Sequence, residues 1–247
     1  RPGARPLRQH RHAALRGALR MKILALEFSS AQRSVAVLAE GAGAGAAVLG
    51  AANETGTRAT RAFGLIEEAL RQARLEREQI ECLAVGLGPG SYVGIRLAIS
   101  LAQGWQLARP VQLLGASSAE GLAAQAQADG LRGRIGVVID AQRGEFYLAD
   151  YELTATARRE VGPLRLVPGA EGLARQQAGV TRLGPEVALW FPGSRMLFPR
   201  AAAIGQLAQG RRDFIAGEKL EPIYLREARF VKAPPARVGI PRREGLP

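Results

Sequence analysis

The sequence predicts a mixed α/β fold of two lobes, and three observations predict it. Apolar runs of strand length alternate with segments of helical periodicity, which is typical of mixed α/β domains. Two hairpins are predicted, over residues 21–39 and 135–151, and each has an acidic residue near its turn, so the two halves are broadly similar. The chain has 247 residues, of which 47% are hydrophobic, enough for one large domain or two small ones.

The first lobe is predicted over residues 21–115. Its first strand is the apolar run MKILALEF, which is followed by a short turn and by the strand SVAVLA. A helix is predicted over residues 57–75, where Ala62, Ile66, Ala69 and Ala73 recur at helical spacing. The other expected elements are a strand at 46–51, a buried strand at 83–86, a helix at 91–108 ended by Pro110, and a strand at 111–114.

The second lobe is predicted over residues 116–230. Its expected elements are a helix at 117–128, strands at 135–140 and 145–151, a helix at 201–209 and a last ordered segment at 221–225. Residues 163–199 are interrupted by glycine and proline, and no element or function is predicted there.

The positive charge of the chain is concentrated at its two ends. The sequence has 34 basic and 22 acidic side chains, and residues 1–20 contain six arginines and no acid. Without residues 1–20 and 231–247, the net charge is only about +3. We expect residues 1–20 to be a disordered or upstream extension before an initiating Met21, with a transit peptide or a nucleic-acid arm as alternatives. Residues 231–247 are expected to form a flexible basic tail.

The scarcity of cysteine and histidine limits the chemistry. Cys82 has no partner for a disulfide and lies in the apolar run ECLAVG, which predicts a buried thiol and fits a reducing cytoplasm. Both histidines, His10 and His12, precede residue 13. Residues 13–247 therefore cannot form a Ser-His-Asp triad or a histidine zinc site. No apolar run has the length of a membrane span, and no membrane association is expected.

A glycine-rich segment, GLGPGSYVGIR at residues 86–96, leads from a strand into the second long helix. Ser91 is placed to cap this helix, and with Gly88 and Gly90 beside it the first amides form a candidate phosphate site. The segment is not a Walker A loop, because no Gly-Lys-Ser/Thr follows, and it lacks the third glycine of a Rossmann fingerprint. A tight strand-to-helix turn without a ligand is the alternative.

The helix at 91–108 is apolar around most of its circumference. Its strongly polar side chains between residues 93 and 108 are Arg96, Ser100, Gln103 and Gln106. A helix at the surface of a monomer is polar over about half of its circumference. We therefore predict that this helix and helix 57–75 share an apolar surface that binds a partner. The predicted interface residues are Ala62, Ile66, Ala69, Ala73, Gly94, Ala98, Ala102 and Trp105. A helix buried within its own domain is the alternative.

Asp140 and Glu145 flank the turn of the second hairpin, in the sequence DAQRGE. Two carboxylates that face a cleft can bind Mg²⁺ or act as acid and base. The alternative is that they set the geometry of the turn. Arg96 is expected to pair with a phosphate or with an acid of a partner, or else to be a solvated helix charge.

Four segments together resemble the TsaB (YeaZ) family: ILALEFSSAQRSVAVL, AVGLGPGSYVGIRLAISLAQGWQLA, VIDAQRGEFYLADY and EPIYLREARFVK. The resemblance covers residues 21–232. It implies the two-lobed actin/hexokinase/Hsp70-like (ASKHA, ribonuclease H-like) fold. It also implies a non-catalytic relative of TsaD, the catalytic subunit of the machinery that makes N6-threonylcarbamoyladenosine (t6A) at position 37 of tRNA.

The resemblance further implies the partners. A TsaD-type subunit is expected to bind helices 57–75 and 91–108, a TsaE-type ATPase to join the pair, and tRNA to be an indirect partner. A homodimer through the same helices is expected when the chain is alone.

A nucleotide site is implied as well. The family's first strand usually ends in Asp-Thr-Ser, and the corresponding residues here are Glu27, Phe28 and Ser29. The acidic group is therefore kept, on a side chain that is one methylene longer. The residues expected near nucleotide or phosphate are Glu27, Ser29, Gly88, Gly90, Ser91, Arg96, Asp140 and Glu145. No tightly bound cofactor or metal is expected, and ATP or ADP with Mg²⁺ is placed at the shared interface. TsaD relatives bind their metal through paired histidines, which residues 13–247 lack, so we expect no threonylcarbamoyl transfer by this chain itself.

An autonomous ATPase or small-molecule kinase of the same fold is the main alternative, and it requires an intact phosphate site. A peptidase is disfavoured because histidine is confined to residues 1–12. A direct nucleic-acid binder is disfavoured because the basic charge lies in the ends and the body shows no aromatic-basic platform.

Overall fold

The computed structural model describes residues 21–41, 46–56, 60–169 and 180–225, which form two five-stranded sheets. The strands of the first sheet are β1 (Lys22–Glu27), β2 (Gln32–Ala39), β3 (Ala47–Thr55), β4 (Cys82–Gly86) and β5 (Gln112–Ala116). The strands of the second are β6 (Gly133–Asp140), β7 (Glu145–Leu153), β8 (Arg158–Pro168), β9 (Thr181–Gly184) and β10 (Arg195–Met196).

The two sheets share one topology. The first has the order β3-β2-β1-β4-β5, with β2 antiparallel to both neighbours and β4 and β5 parallel to β1. The second has the order β8-β7-β6-β9-β10 with the same strand directions. Each sheet therefore begins with a hairpin and ends with parallel strands, which confirms the prediction of two similar halves.

Within the described ranges, four helices lie against these sheets: α1 (Ala62–Ala73), α2 (Tyr92–Ala108), α3 (Ser118–Ala128) and α4 (Ala201–Ala208). Helices α1 and α2 cover one face of the first sheet, where they share a core with Leu24 and Val85. Helix α4 covers the opposite face together with Ile23 and Leu38. Helix α3 packs on the second sheet and also contacts α4, so α3 and α4 join the two lobes. None of the helices in the described residues is long and apolar enough to cross a membrane.

Helix α1 is shorter than the predicted helix at 57–75, of which residues 57–59 lie outside the described residues. The carboxylate of Glu54 accepts hydrogen bonds from the Thr60 hydroxyl and from the Arg61 amide, so these residues precede the helix. Arg74, with φ of 54°, ends it in the left-handed conformation. Helix α2 agrees with the prediction, because the Ser91 hydroxyl caps it by accepting a hydrogen bond from the Gly94 amide at 3.4 Å.

The second lobe does not include all of residues 116–230. The Ala201 amide donates to the Ser34 hydroxyl at 2.8 Å, and the Ile215 amide donates to the Leu113 carbonyl at 3.0 Å. Residues 201–225 therefore pack on the first sheet. Helix α4 provides the apolar cover for the face of this sheet that lies opposite α1 and α2. The predicted ends, 1–20 and 231–247, lie outside the described residues.

Candidate functional site

A cleft of about 550 Å³ separates the lobes. It lies between the first hairpin turn of each sheet: Ser29 and Ser30 line it from the β1–β2 turn, and Asp140 lines it from the β6–β7 turn. Gly90 and Ser91, at the start of α2, line its remaining side. The structure thus brings together Ser29, Gly90, Ser91 and Asp140 from the predicted nucleotide set.

Glu27 does not face this cleft. Its Oε1 accepts a hydrogen bond from the Ser29 amide at 2.8 Å, and its Oε2 accepts one from the Ser118 hydroxyl at 2.7 Å. The side chain is fully buried, and this burial raises the pKa of the carboxyl above its usual value. Gly86 makes room for it, since a Cβ at Gly86 would lie 2.1 Å from Oε2. The expectation that Glu27 lies near a nucleotide or phosphate is therefore wrong, because both of its carboxylate oxygens accept hydrogen bonds inside the lobe.

Asp140 ends β6 as Glu27 ends β1, and the two acids make the same contact. Asp140 Oδ1 accepts a hydrogen bond from the Gln142 amide, two residues on, at 2.7 Å. Glu145 contributes backbone hydrogen bonds that close this turn, and it is not among the residues that line the cleft. Asp140 therefore sets the geometry of its turn, as the alternative interpretation held. The expectation that Asp140 and Glu145 both face the cleft is wrong, because of the two only Asp140 lines it.

The glycine-rich loop packs closely against its own chain. The Gly88 amide donates to the Ser118 hydroxyl at 3.1 Å, and the Ser91 amide donates to the Ser29 carbonyl at 2.7 Å. A Cβ at Gly90, whose φ is 146°, would lie 2.1 Å from the Ser29 carbonyl oxygen. Two of the amides expected to bind phosphate are thus engaged within the lobe, and Gly88 lies outside the cleft lining. These contacts support the tight-turn alternative.

The stripe of small residues on α2 faces the core of its own lobe. Ala98 and Ala102 are fully buried, and a Cβ at Gly94 would lie 2.0 Å from the Phe28 carbonyl oxygen. Ala62, Ile66 and Ala69 of α1 are buried in the same core, and Ala73 is partly buried against it. The prediction that a partner covers the small residues of these helices is therefore wrong for Gly94, Ala98, Ala102, Ala62 and Ala69. Their small size instead lets α1 and α2 approach the sheet closely.

The outer side of these helices is nevertheless apolar. Leu107 and Val93 of α2 are 90% and 76% exposed, and Phe63 of α1 is 67% exposed. A groove of about 440 Å³ runs between the helices, and Gly104 and Trp105 lie along it. We call these five residues the α1–α2 surface. Of the predicted interface residues, Trp105 and Ile66 line this groove.

Part of the polar stripe of α2 is covered by the returning chain. The Gln103 side-chain amide donates to the Gly217 carbonyl at 2.8 Å, and the Gln106 side-chain carbonyl accepts from the Gly217 amide at 2.9 Å. These glutamines, which the sequence suggests are exposed, instead hold residues 215–220 in place. The face of α2 left open to solvent is therefore more apolar than the sequence alone indicates.

An aromatic and basic cluster stands at the start of α2. The Tyr92 and Tyr224 rings have centroids 5.9 Å apart, and the guanidinium carbon of Arg96 is 5.1 Å from the Tyr92 centroid. Hydrogen bonds with Tyr224 and Arg96 lower the pKa of Tyr92. The sequence alone predicts no such platform, because Tyr224 reaches α2 only through the fold. Arg96 lies outside the cleft lining and on the exposed side of α2.

A family model described as "TsaD: tRNA N6-adenosine threonylcarbamoyltransferase" matches residues 58–177. The chain is 28% identical to the tRNA threonylcarbamoyladenosine biosynthesis protein TsaB of Escherichia coli, over 67% of this chain and 79% of that protein. It is 27% identical to the protein of the same name from Haemophilus influenzae, over 88% of this chain and 98% of that protein.

A solved structure described as YeaZ from Pseudomonas aeruginosa is similar throughout its length. It superposes with a TM-score of 0.70 at 26% identity and covers 83% of this chain and all of that chain. Together with the two sheets of equal topology, this likeness confirms the expected two-lobed ASKHA-type fold.

Proposed function

Since these comparisons assign the chain to the TsaB/YeaZ family, we propose that it takes part in t6A synthesis as a non-catalytic subunit. Its curated relatives are named for t6A biosynthesis, and the matching family model is that of the transferase. We propose that a TsaD-type catalytic subunit binds the α1–α2 surface, that a TsaE-type ATPase joins the pair, and that tRNA is reached through these partners.

The observation that carries this proposal is the exposure of Phe63, Val93 and Leu107 on two neighbouring helices. A large apolar side chain contributes about 1.5–3 kcal/mol when it is fully buried, so covering three of them favours association. The groove beside Trp105 offers a concave site for a side chain of the partner. A helical face of a TsaD-type subunit fits this surface, because Gly104 and Ser100 leave room on α2 for close approach.

In the absence of the catalytic subunit, we propose that a second copy of the chain binds the α1–α2 surface. The same apolar side chains would be covered in a symmetric pair, so the homodimer and the heterodimer are expected to compete. The concentration of the catalytic subunit then sets which of the two forms.

We propose no catalytic step on this chain. The acid that would have to hold the metal of a nucleotide, Glu27, has both oxygens bonded inside the lobe, so the residues present do not fit such coordination. This arrangement disfavours the alternative of an autonomous ATPase or kinase. We propose that ATP or ADP with Mg²⁺ is held at the interface with the catalytic subunit, where this chain provides the cleft rim at Ser29, Gly90 and Asp140.

Reconstitution tests the proposal. Purified TsaD-type and TsaE-type subunits of the same organism, with tRNA, ATP and the activated threonylcarbamoyl donor, are expected to form t6A only when this chain is added. Formation of t6A at the same rate without the chain would overturn the proposal. ATP turnover by the isolated chain at a rate typical of enzymes would favour the autonomous ATPase.

A further inference from the structure

The outer side of helix α2 carries a single charged residue. The residues that face solvent at helical spacing along it are Val93, Arg96, Ser100, Gly104 and Leu107, which we call the outer stripe. Helix α2 contains no acidic residue, and Arg96 is its one basic residue. The outer stripe therefore places one positive charge between the exposed apolar side chains of Val93 and Leu107, which belong to the α1–α2 surface.

Two tyrosine rings hold the Arg96 guanidinium in place. Its carbon lies 5.1 Å from the centroid of the Tyr92 ring, one turn earlier on the helix, and its Nη1 donates a hydrogen bond to the Tyr92 hydroxyl. The Tyr224 ring packs against Tyr92 with the centroids 5.9 Å apart. A guanidinium held in this way has less conformational freedom to lose when it binds a partner.

Arg96 has no acidic partner among the described residues. The side chains that act on its guanidinium are the hydroxyls of Tyr92 and Tyr224, and no carboxylate is among them. The acids of α1 and of the groove are each paired with another arginine: Glu67 with Arg77 at 2.8 Å, Glu68 with Arg71 at 2.7 Å and Glu78 with Arg109 at 3.3 Å.

This arrangement distinguishes the two partners proposed for the surface. A second copy of the chain brings no acid on α2, and the acids of its α1 and groove reach Arg96 only by leaving their own arginines. Interfaces combine an apolar centre with a polar rim, and tyrosine and arginine are enriched among the residues that contribute most to binding. Arg96, next to Val93, is complementary to an acidic side chain supplied by a different protein.

We propose that Arg96 pairs with a carboxylate of the TsaD-type subunit and thereby favours that subunit over a second copy of the chain. The inference rests on the proposed function, because the pair forms at the edge of the α1–α2 surface. Guanidinium groups suit a carboxylate because their planar donors match its two oxygens. An RNA phosphate fits less well, because the outer stripe provides one cation whereas binding to a nucleic-acid backbone uses several.

Calorimetric titration of a TsaD-type subunit with the wild-type chain and with Arg96→Gln tests the inference, and analytical ultracentrifugation measures the self-association of both. We expect the variant to bind the subunit about tenfold more weakly and to self-associate like the wild type. Arg96 is exposed, so the variant is expected to keep the fold, and an unchanged unfolding temperature verifies this.

Salt and a matched variant separate the ion pair from a merely structural effect. Added salt is expected to weaken binding of the subunit by the wild type more than by Arg96→Gln, because salt screens exposed charge pairs. Arg159→Gln removes the same charge from an exposed position on β8 of the second lobe. We expect this control to change neither the affinity for the subunit nor its dependence on salt.

The possible failures are distinguishable. Equal affinity of the wild type and Arg96→Gln for the subunit would overturn the inference and leave the proposed function intact. Equal losses in binding of the subunit and in self-association would also overturn it, since Arg96 would then not distinguish the partners. Absence of binding by the wild type would overturn the proposed function as well. Loss of tRNA binding by isolated Arg96→Gln, with unchanged affinity for the subunit, would assign Arg96 to a phosphate instead.

Discussion

Replacing Leu107 with glutamate tests whether the α1–α2 surface binds the catalytic subunit. Leu107 is 90% exposed, so the substitution leaves the core of the lobe intact and the unfolding temperature is expected to stay within experimental error. If the partner covers this side chain, the variant loses the burial of a leucine and places a carboxylate in a dry contact.

The magnitude follows from these two effects. Burial of a leucine side chain contributes about 2 kcal/mol, and an unpaired charge in an interface costs about 2–5 kcal/mol more. The sum is about 4 kcal/mol or more. Since about 1.4 kcal/mol corresponds to a factor of ten, the dissociation constant is expected to rise about 1,000-fold.

The assay is calorimetric titration of a TsaD-type subunit with the wild type and with two variants. Leu189→Glu is the matched control, because Leu189 is 76% exposed on the second lobe, remote from α1 and α2 in the fold. We expect Leu189→Glu to bind like the wild type. Wild-type affinity of a folded Leu107→Glu variant would refute the assignment of the surface.

Three further predictions concern single residues of the first lobe. Ala98→Glu is expected to unfold the protein, because Ala98 is fully buried and an unpaired buried charge costs several kcal/mol; circular dichroism checks this. Ser91→Ala removes the cap of α2 and is expected to lower the free energy of unfolding by about 0.5–1 kcal/mol, near the low end of the usual range because the bond is 3.4 Å long. Glu27→Gln is expected to gain stability relative to the wild type as the pH rises above 4.5, by up to about 1.4 kcal/mol per pH unit. The check is denaturant unfolding at several pH values.

The sign for Glu27 follows from its raised pKa. The folded state retains the proton at pH values where the unfolded state has lost it, so this stabilising contribution is complete below pH 4.5 and is lost as the pH rises through the folded pKa. A stability difference between the wild type and Glu27→Gln that does not vary with pH would contradict this. A folded Ala98→Glu variant, or a Ser91→Ala variant as stable as Ser91→Thr, would contradict the other two predictions.

The order of the strands and helices could largely be predicted from the sequence, because local patterns determine it. The cap at Ser91 and the stop at Pro110 define α2, and the apolar run before Glu27 defines β1. Strand β8 could not be predicted, because Gly162 and Pro163 interrupt its alternation while hydrogen bonds to β7 keep it in the sheet. The position of α4 on the first sheet depends on a contact with Ser34 that is distant in sequence.

The candidate site was harder to predict because burial depends on the whole lobe. The sequence indicates that α2 has more apolar surface than one side can bury, but not which side faces the sheet. The stripe of Gly94, Ala98 and Ala102 is the inner side, and Val93 and Leu107 are on the outer side. Likewise, the sequence shows an acid at the end of β1, whereas only the structure shows that it turns towards Ser118.

Hydrogen exchange of the full chain, with and without a TsaD-type subunit, tests the central claim most directly. We expect slower exchange of amides in α1 and α2 when the subunit is present, with the outer face of the second sheet unchanged. Slower exchange confined to the second lobe, or no change at saturating concentrations of the subunit, would contradict the claim that this chain is an assembly subunit bound through α1 and α2.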